Sequence, residues 1–343
     1  MRVVRCPGRV NLIGDHTDYN QGLALPMAID LYTEVVYKPD AGSRSIELSS
    51  DAEPGVAYVS IDIPLNHAVL VEVEPAWSRA AAAVVAMMRP QCGGTLSYTG
   101  NLPVGAGLSS SAAFEVGTAL ALGIEGEHRV VAKLCRYAGE VATGVPAGIM
   151  DQLTVLAGRQ GFAIMIDFSD LSYQYVKLPV LAEVVVIHSG LPRVLAGSAY
   201  AARRAECDAA SLHLGSLGQV TVDAASALPD TTLRRRARHV ASECERVRRF
   251  AAALEQDDLE TAGTLMIESH RSLAEDFEVS TPALDELVDH LTALDGVYGA
   301  RLTGAGFGGC VVALCEPGSV DTSAYPAGAW VVRPTGGAYV VSA

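Results

Sequence analysis

A chain of 343 residues, half of them hydrophobic and with a mean hydropathy of +0.25, is long and apolar enough for two well-buried cores, which excludes disorder. A formal net charge of -14 argues against nucleic acid and anionic membranes as main partners, so any anionic small ligand must be met by a local positive field. The seven cysteines are scattered and never spaced CxxC, which indicates neither a disulfide framework nor a zinc site. No run of about 18 apolar residues is free of charge or Gly/Ser punctuation, and MRVVRCPGR has no apolar signal core, so a cytoplasmic protein is expected.

The chain opens on RVVRC, a short strand pattern. PGRVNLIGDHTDY follows, with Arg9, Asp15, His16 and Asp18 close together on a stretch too rich in glycine for a helix, so a loop bearing chemistry is expected. A solvated polar loop is the plain alternative. The apolar Val10, Leu12 and Ile13 weigh against it, because they would anchor the segment and fix its charges at an energetic cost. Residues 35–37, 46–48 and 58–63 read as strands of one mixed sheet. Pro75 and Trp77 open an Ala-rich helix reaching Met88, and a tryptophan there either packs or stacks on a base.

After a strand at 94–98 comes LPVGAGLSSSAA. Gly105 and Gly107 allow positive φ and close approach to a ligand, while Ser109, Ser110 and Ser111 open a helix through Phe114, Val116 and Leu120. Exposed N–H groups and the helix dipole would favour phosphate there; a glycine turn followed by a serine cap is the alternative. A helix at 127–142 leads to TGVPAGIMDQ, where Asp151 follows a Gly/Pro turn and reads either as an N-cap or as a functional acid. Strands are expected at 161–167, 173–178 and 183–188, then helices at 193–214, 233–254, 259–277 and 283–294. The run Arg234-Arg235-Arg236-Ala237-Arg238 reads as a solvated helix face.

Near the end, RLTGAGFGGCVV fits GxGxxG through Gly304, Gly306 and Gly309, but a strand follows where a dinucleotide fold needs a helix. A Walker loop is excluded, since none of the three lysines (Lys38, Lys133, Lys177) follows a glycine, and the kinase signatures HRD and DFG are absent. A nucleotide must therefore be held by backbone amides and serines, with Mg2+ left to serines and a carboxylate. With no internal repeat or low-complexity linker, two intimately packed domains are expected.

Taken in order, GRVNLIGDHTDY, LPVGAGLSSSAA, TGVPAGIMDQ and LTGAGFGGC resemble the sugar-phosphorylating branch of the GHMP kinases, most closely the galactokinase family, over nearly the full length. ESHRSL at 268–273, through Val279-Ser280, is similar too. The resemblance implies an α+β, two-domain GHMP kinase fold. Residues 1–180 would form a ribosomal-S5-domain-2-like α/β domain and 181–343 a ferredoxin-like α+β domain, with the active site between them. It implies an ATP- and Mg2+-dependent phosphotransferase acting on the anomeric hydroxyl of D-galactose, as a monomer or weak homo-oligomer.

Residue by residue, the resemblance makes Asp151 the catalytic carboxylate and Arg9 its neighbour. Asp15, His16, Asp18, Gly148 and Tyr200 match positions that hold sugar hydroxyls. Gly105, Ala106, Gly107, Leu108, Ser109, Ser110 and Ser111 match the nucleotide turn, and Trp77 matches an adenine-side aromatic. Ser111 and Glu140 are the expected metal ligands. Two departures stand out: Asp15 replaces the family's Glu, and Gly139 occupies the usual metal-carboxylate position, with Glu140 one residue later and about 100° round the helix. The first leaves open a sibling kinase for N-acetylgalactosamine, galacturonate or L-arabinose. A non-catalytic sugar and ATP sensor is a third reading, opposed by the presence of Asp151, Arg9 and an uninterrupted SSSAA.

Overall fold

A computed structural model describes residues 1–191 and 197–342. Its strands are β1 (Arg2–Asn11), β2 (Leu23–Ala24), β3 (Pro26–Asp40), β4 (Ser45–Ser50), β5 (Val56–Ser60), β6 (Gly93–Gly100), β7 (Phe162–Asp167), β8 (Ser172–Lys177), β9 (Glu183–His188), β10 (Val297–Thr303), β11 (Cys310–Cys315), β12 (Ala329–Val332) and β13 (Tyr339–Ser342). The helices are α1 (His67–Leu70), α2 (Arg79–Met88), α3 (Ser110–Ala121), α4 (His128–Thr143), α5 (Met150–Ala157), α6 (Gly197–Leu214), α7 (Val222–Ser226), α8 (Thr231–Glu255), α9 (Leu259–Glu275) and α10 (Pro282–Thr292). The first residues of the helix expected at 193–214 lie outside the described residues.

The first sheet runs β13-β1-β3-β6-β4-β5, antiparallel except for the parallel pair β4 and β6, which makes it mixed as expected. β9 to β12 form a separate antiparallel sheet in the order β10-β11-β9-β12, and β2, β7 and β8 form a third. Helix α3 lies on β1 and β3. Its small side chains let it come close: a Cβ on Gly117 would fall 2.5 Å from the Val35 side chain, and Ala113, Val116 and Ala119 are fully buried. α9 and α10 pack on β10, and α8 packs on α6 and α9. The seven cysteines are all free, six of them buried.

Three expectations need correction. The chemistry-bearing loop is shorter than the sequence implied, because β1 continues through Pro7-Gly8-Arg9-Val10-Asn11, paired with β3 as far as Asn11 opposite Pro26. The ladder shifts register between Pro7 and Gly8, which absorbs the proline's missing N–H. Asp151 is not an N-cap: Ile149 precedes α5, and Asp151 is the second residue of its first turn. The arginine run is only in part a solvated face. Arg236 is only 1% exposed and pairs with Glu206 at 2.6 Å and Glu278 at 2.5 Å, while Arg235 pairs with Glu278 and Arg238 with Asp276. Four carboxylate contacts from distant segments gather on the run and bury Arg236, a guanidinium tolerated there because it is paired, while Arg238 stays exposed.

Candidate active site

Arg9 reaches Asp151 from β1 across 142 residues of sequence. Its Nε donates to Oδ1 and its Nη2 to Oδ2, each at 2.7 Å, a bidentate pair that fixes the plane of the carboxylate. The guanidinium is 3% exposed, whereas the Asp151 side chain keeps 31% of its surface open. Arg9 Nη1 donates to the Gly107 carbonyl at 2.7 Å, and the Arg9 backbone N–H donates to Leu108 O. The same residue therefore ties the glycine turn to the acid.

The turn itself has left-handed backbone at Gly105, Gly107 and Ser109 (φ 77°, 78° and 64°). A Cβ at either glycine would meet nothing within 4 Å, so conformation rather than crowding requires glycine there. Gly8 is required for space: a Cβ on it would strike Leu102 and the Leu108 carbonyl. Ser109 does not cap α3; its hydroxyl donates instead to Asp151 Oδ2 at 2.6 Å. Ala106, Leu108 and Ser110 are buried, while Ser111 faces the cleft. The Cys310 thiol donates to Ala106 O, fastening the turn to the start of β11.

Asp151, Arg9, Ser111 and Glu140 line one cleft of about 260 Å3 with Asp15, His16, Asp18, Gly148 and Tyr200. Asp15 is 2% exposed and accepts from Arg301 Nη2 at 2.6 Å and from Gly304 N–H at 3.0 Å. His16 has left-handed backbone, meets the Tyr19 hydroxyl at 2.8 Å and stacks on Phe277 with ring centroids 4.5 Å apart; Tyr200 lies 6.0 Å from it. Asp18 accepts from the Tyr19 N–H. Burial, then the nearby Asp151 charge, pushes its carboxyl up to about 6. Gly148 leaves no room for a side chain, since a Cβ would sit 1.3 Å from Asp18 Oδ2.

A second layer holds this loop, and its members on α8, Glu243, His239 and Arg246, escaped the sequence reading. Glu243 on α8 accepts from Gly14 N–H at 3.0 Å, Ser269 Oγ at 2.6 Å and Arg246 Nε at 2.8 Å. Burial alone would raise its carboxyl, but Arg246 and Arg301 hold it down at about 2. Burial pushes His239 down to about 4, so the ring is neutral. The Asp15 carbonyl, 3.2 Å from its Nε2, can only accept, which places the ring proton on Nε2 and leaves Nδ1 to accept from Ser272 Oγ. Arg301 also donates to Leu12 O, and Thr303 Oγ1 to Asn11 O. Ser269 and Ser272 are the members of this layer that ESHRSL announced.

Glu140 shares its Oε1 between Arg136 Nη1 at 2.5 Å and Ala147 N–H at 2.9 Å. Glu115, which the sequence reading did not single out, also lines the cleft, and burial pushes its carboxyl up to about 8. Trp77 is outside that lining; it packs edge-on against Tyr98 and Phe114, which border a small separate groove with Leu102 and Val104. Among the described residues no three His, Cys, Asp or Glu side chains form a metal cage. The oxygen donors Ser111, Glu115 and Glu140 suit a hard cation held largely by phosphate and water.

Residues 2–39 match the galactokinase galactose-binding signature, 77–159 the GHMP kinases N-terminal domain and 250–325 the GHMP kinases C-terminal region. A galactokinase of Roseiflexus sp. (strain RS-1) is 44% identical over 93% of this chain and 85% of its own length. The chain belongs to the galactokinase family. The Homo sapiens galactokinase is 41% identical over 91% of the chain and 83% of its own length. The crystal structure of Lactococcus lactis galactokinase complexed with galactose superposes with a TM-score of 0.89 at 29% identity, covering 98% of this chain and 94% of that one. The galactokinase signature span carries Arg9 and the Asp15–Asp18 loop, and the N-terminal GHMP span carries Asp151 and the serine turn. Tyr200 and Glu243 fall outside all three matched spans.

Proposed function

We propose that this chain transfers the γ-phosphoryl group of ATP to the anomeric hydroxyl of D-galactose, giving galactose 1-phosphate and ADP. The observation that carries the reading is the Arg9–Asp151 pair. A carboxylate clamped in one plane opens about a third of its surface onto a cleft lined by the first turn of α3, which follows the glycine turn, and by a loop of buried polar side chains.

In this reading the sugar lies against Asp15, His16, Asp18, Gly148 and Tyr200, with its anomeric hydroxyl toward Asp151. As the hydroxyl oxygen bonds to the γ-phosphorus and the bond to the β-phosphate bridging oxygen breaks, the hydroxyl proton passes to Asp151. Arg9 favours the ionised acid and offsets charge on the transferring group. The Gly105–Ser111 turn, with amides at the start of α3, cradles the phosphates. Holding donor and acceptor in line supplies most of the acceleration, since phosphoryl transfer asks little covalent chemistry of the protein. Mg2+, when bound, neutralises phosphate charge, and Ser111 with a carboxylate of the α3–α4 wall would hold it. Trp77, beside the groove bordered by Tyr98 and Phe114, belongs to the adenine side.

We keep in the same proposal a division near residue 180, a monomer or weak homo-oligomer, and a cytoplasmic location. No helix of the described residues is long and apolar enough to cross a membrane. Asp15, locked to Arg301 and Gly304 where a longer acid is usual, favours a second reading in which the C6 substituent differs. Coupled ADP release by the purified chain with galactose, N-acetylgalactosamine, galacturonate and L-arabinose tests both. Galactose is expected to give the highest kcat/KM, with product phosphorus at C1 by 31P NMR. Much faster turnover of another of these sugars overturns the galactose assignment, and absence of any turnover leaves the sensor reading standing.

A further inference from the structure

We propose that Glu115 is the carboxylate that binds the divalent cation accompanying the nucleotide, beside Ser111, and that Glu140 does not take this part. The inference rests on the kinase reading above. Ser111 and Glu115 are four residues apart on α3, so both project from one helix face a single turn apart, and both line the Asp151 cleft.

Glu115 is 5% exposed, and among the described residues its hydrogen-bond partner is the Gln152 side-chain amide at 2.8 Å; no cationic side chain pairs with it. A buried carboxylate in that state is costly unless a positive charge meets it. Beside it, Gln152 is 6% exposed and lines the same cleft, with a buried Oε1 that accepts no hydrogen bond. A carboxylate without a cation and an amide oxygen without a donor, in one wall, form an oxygen set short of positive charge. A hard divalent ion supplies it.

The neighbouring helix makes room for this. α4 passes α3 at Gly139, where a Cβ would fall 2.3 Å from Glu115 Oε1. Glycine weakens a helix interior relative to alanine, so its presence here gives Glu115 a place at the cleft that any side chain at 139 would take. Glu140, one residue on, is committed elsewhere: its Oε1 takes the Arg136 guanidinium and the Ala147 N–H, which braces the turn leading to Gly148.

The test uses the full chain with ADP and Mn2+ as a paramagnetic probe, measuring the Mn2+ dissociation constant of the ternary complex by electron paramagnetic resonance. Glu115→Gln keeps the shape and the position of Gln152, and is expected to weaken Mn2+ roughly tenfold or more, with galactose affinity and Tm close to wild type. Gly139→Ala pushes Oε1 aside while keeping the acid itself and is expected to weaken Mn2+ in the same direction. Glu140→Gln, which leaves Glu115 in place, is expected to move the constant less than about twofold. An unchanged constant in Glu115→Gln, or a loss that follows Glu140→Gln instead, overturns the assignment. Galactose turnover by the wild type, measured alongside, separates the two levels: turnover with unaltered Mn2+ binding in Glu115→Gln overturns this inference alone. A wild type with neither turnover nor nucleotide-dependent Mn2+ binding overturns both.

Discussion

Asp151→Asn separates what the acid does for chemistry from what it does for folding. Among the described residues the carboxylate takes Arg9 Nε on Oδ1, and Arg9 Nη2 with Ser109 Oγ on Oδ2. An asparagine oriented best keeps its oxygen for the two donors at Oδ2 and turns its NH2 toward Arg9 Nε. One N–H of a guanidinium that is 3% exposed then faces another donor. Leaving a buried cationic donor unpaired costs about 3 kcal/mol or more, because the guanidinium is 3% exposed and loses its counter-charge, while the 31% exposure of the residue-151 side chain lets solvent offset part of it. The shape is otherwise retained, so galactose and ATP affinities should stay within a few-fold of wild type. Loss of the proton acceptor is expected to lower kcat by roughly 10² or more, about 3 kcal/mol of barrier. Urea unfolding at pH 7.5 measures the first quantity and coupled ADP release the second. A kcat within about threefold of wild type would refute the role given to Asp151, whatever the stability did.

Three further outcomes are expected. Gly148→Ala drives a methyl into Asp18 Oδ2 and should raise the galactose KM by roughly 10² while leaving the KM for ATP nearly unchanged, since the clash lies on the sugar side; equal effects on both KM values would place Asp18 outside the sugar site. Because Asp18 has its carboxyl pushed up to about 6, it is ionised above that pH and neutral below it. Galactose KM should therefore climb as pH falls through 6, and Asp18→Asn should flatten that limb. Asp15→Glu inserts a methylene into a site that is 2% exposed beside Arg301 and should change the ranking of C6-variant sugars more than it changes ATP affinity, read by kcat/KM across the sugar panel.

Residue chemistry carried the parts of this site that depend on local conformation. Glycines that need positive φ, serines opening an apolar helix, and an Arg among anchored aliphatics are visible without a fold, and Arg9, Asp151 and Ser111 do line one cleft. What stayed hidden depends on distant pairing. The extension of β1 through Pro7 to Asn11 is set by β3 opposite it, not by the preferences of Pro and Gly. β10, β12 and β13 went unread because each is short or lies at a sheet edge, with little alternation to mark it. Glu243 and His239 sit in an ordinary amphipathic helix pattern; only the fold shows that this face of α8 meets the Gly14–Asp15 backbone. The arginine run misled for the same reason, since its carboxylate partners come from α6 and from residues 276–278.

The pairing of β1 with β13 bears on how the molecule is made. Residues 3–5 of β1 have β3 along one edge and residues 339–342 along the other, so the two partners are translated more than three hundred residues apart. A nascent chain holds that outer edge open, its amide and carbonyl groups available to any passing extended segment, until β13 leaves the ribosome. A chain cut after Ala338 would keep every group around Asp151 and still yield a product prone to sticking to itself through the strand that bears Arg9.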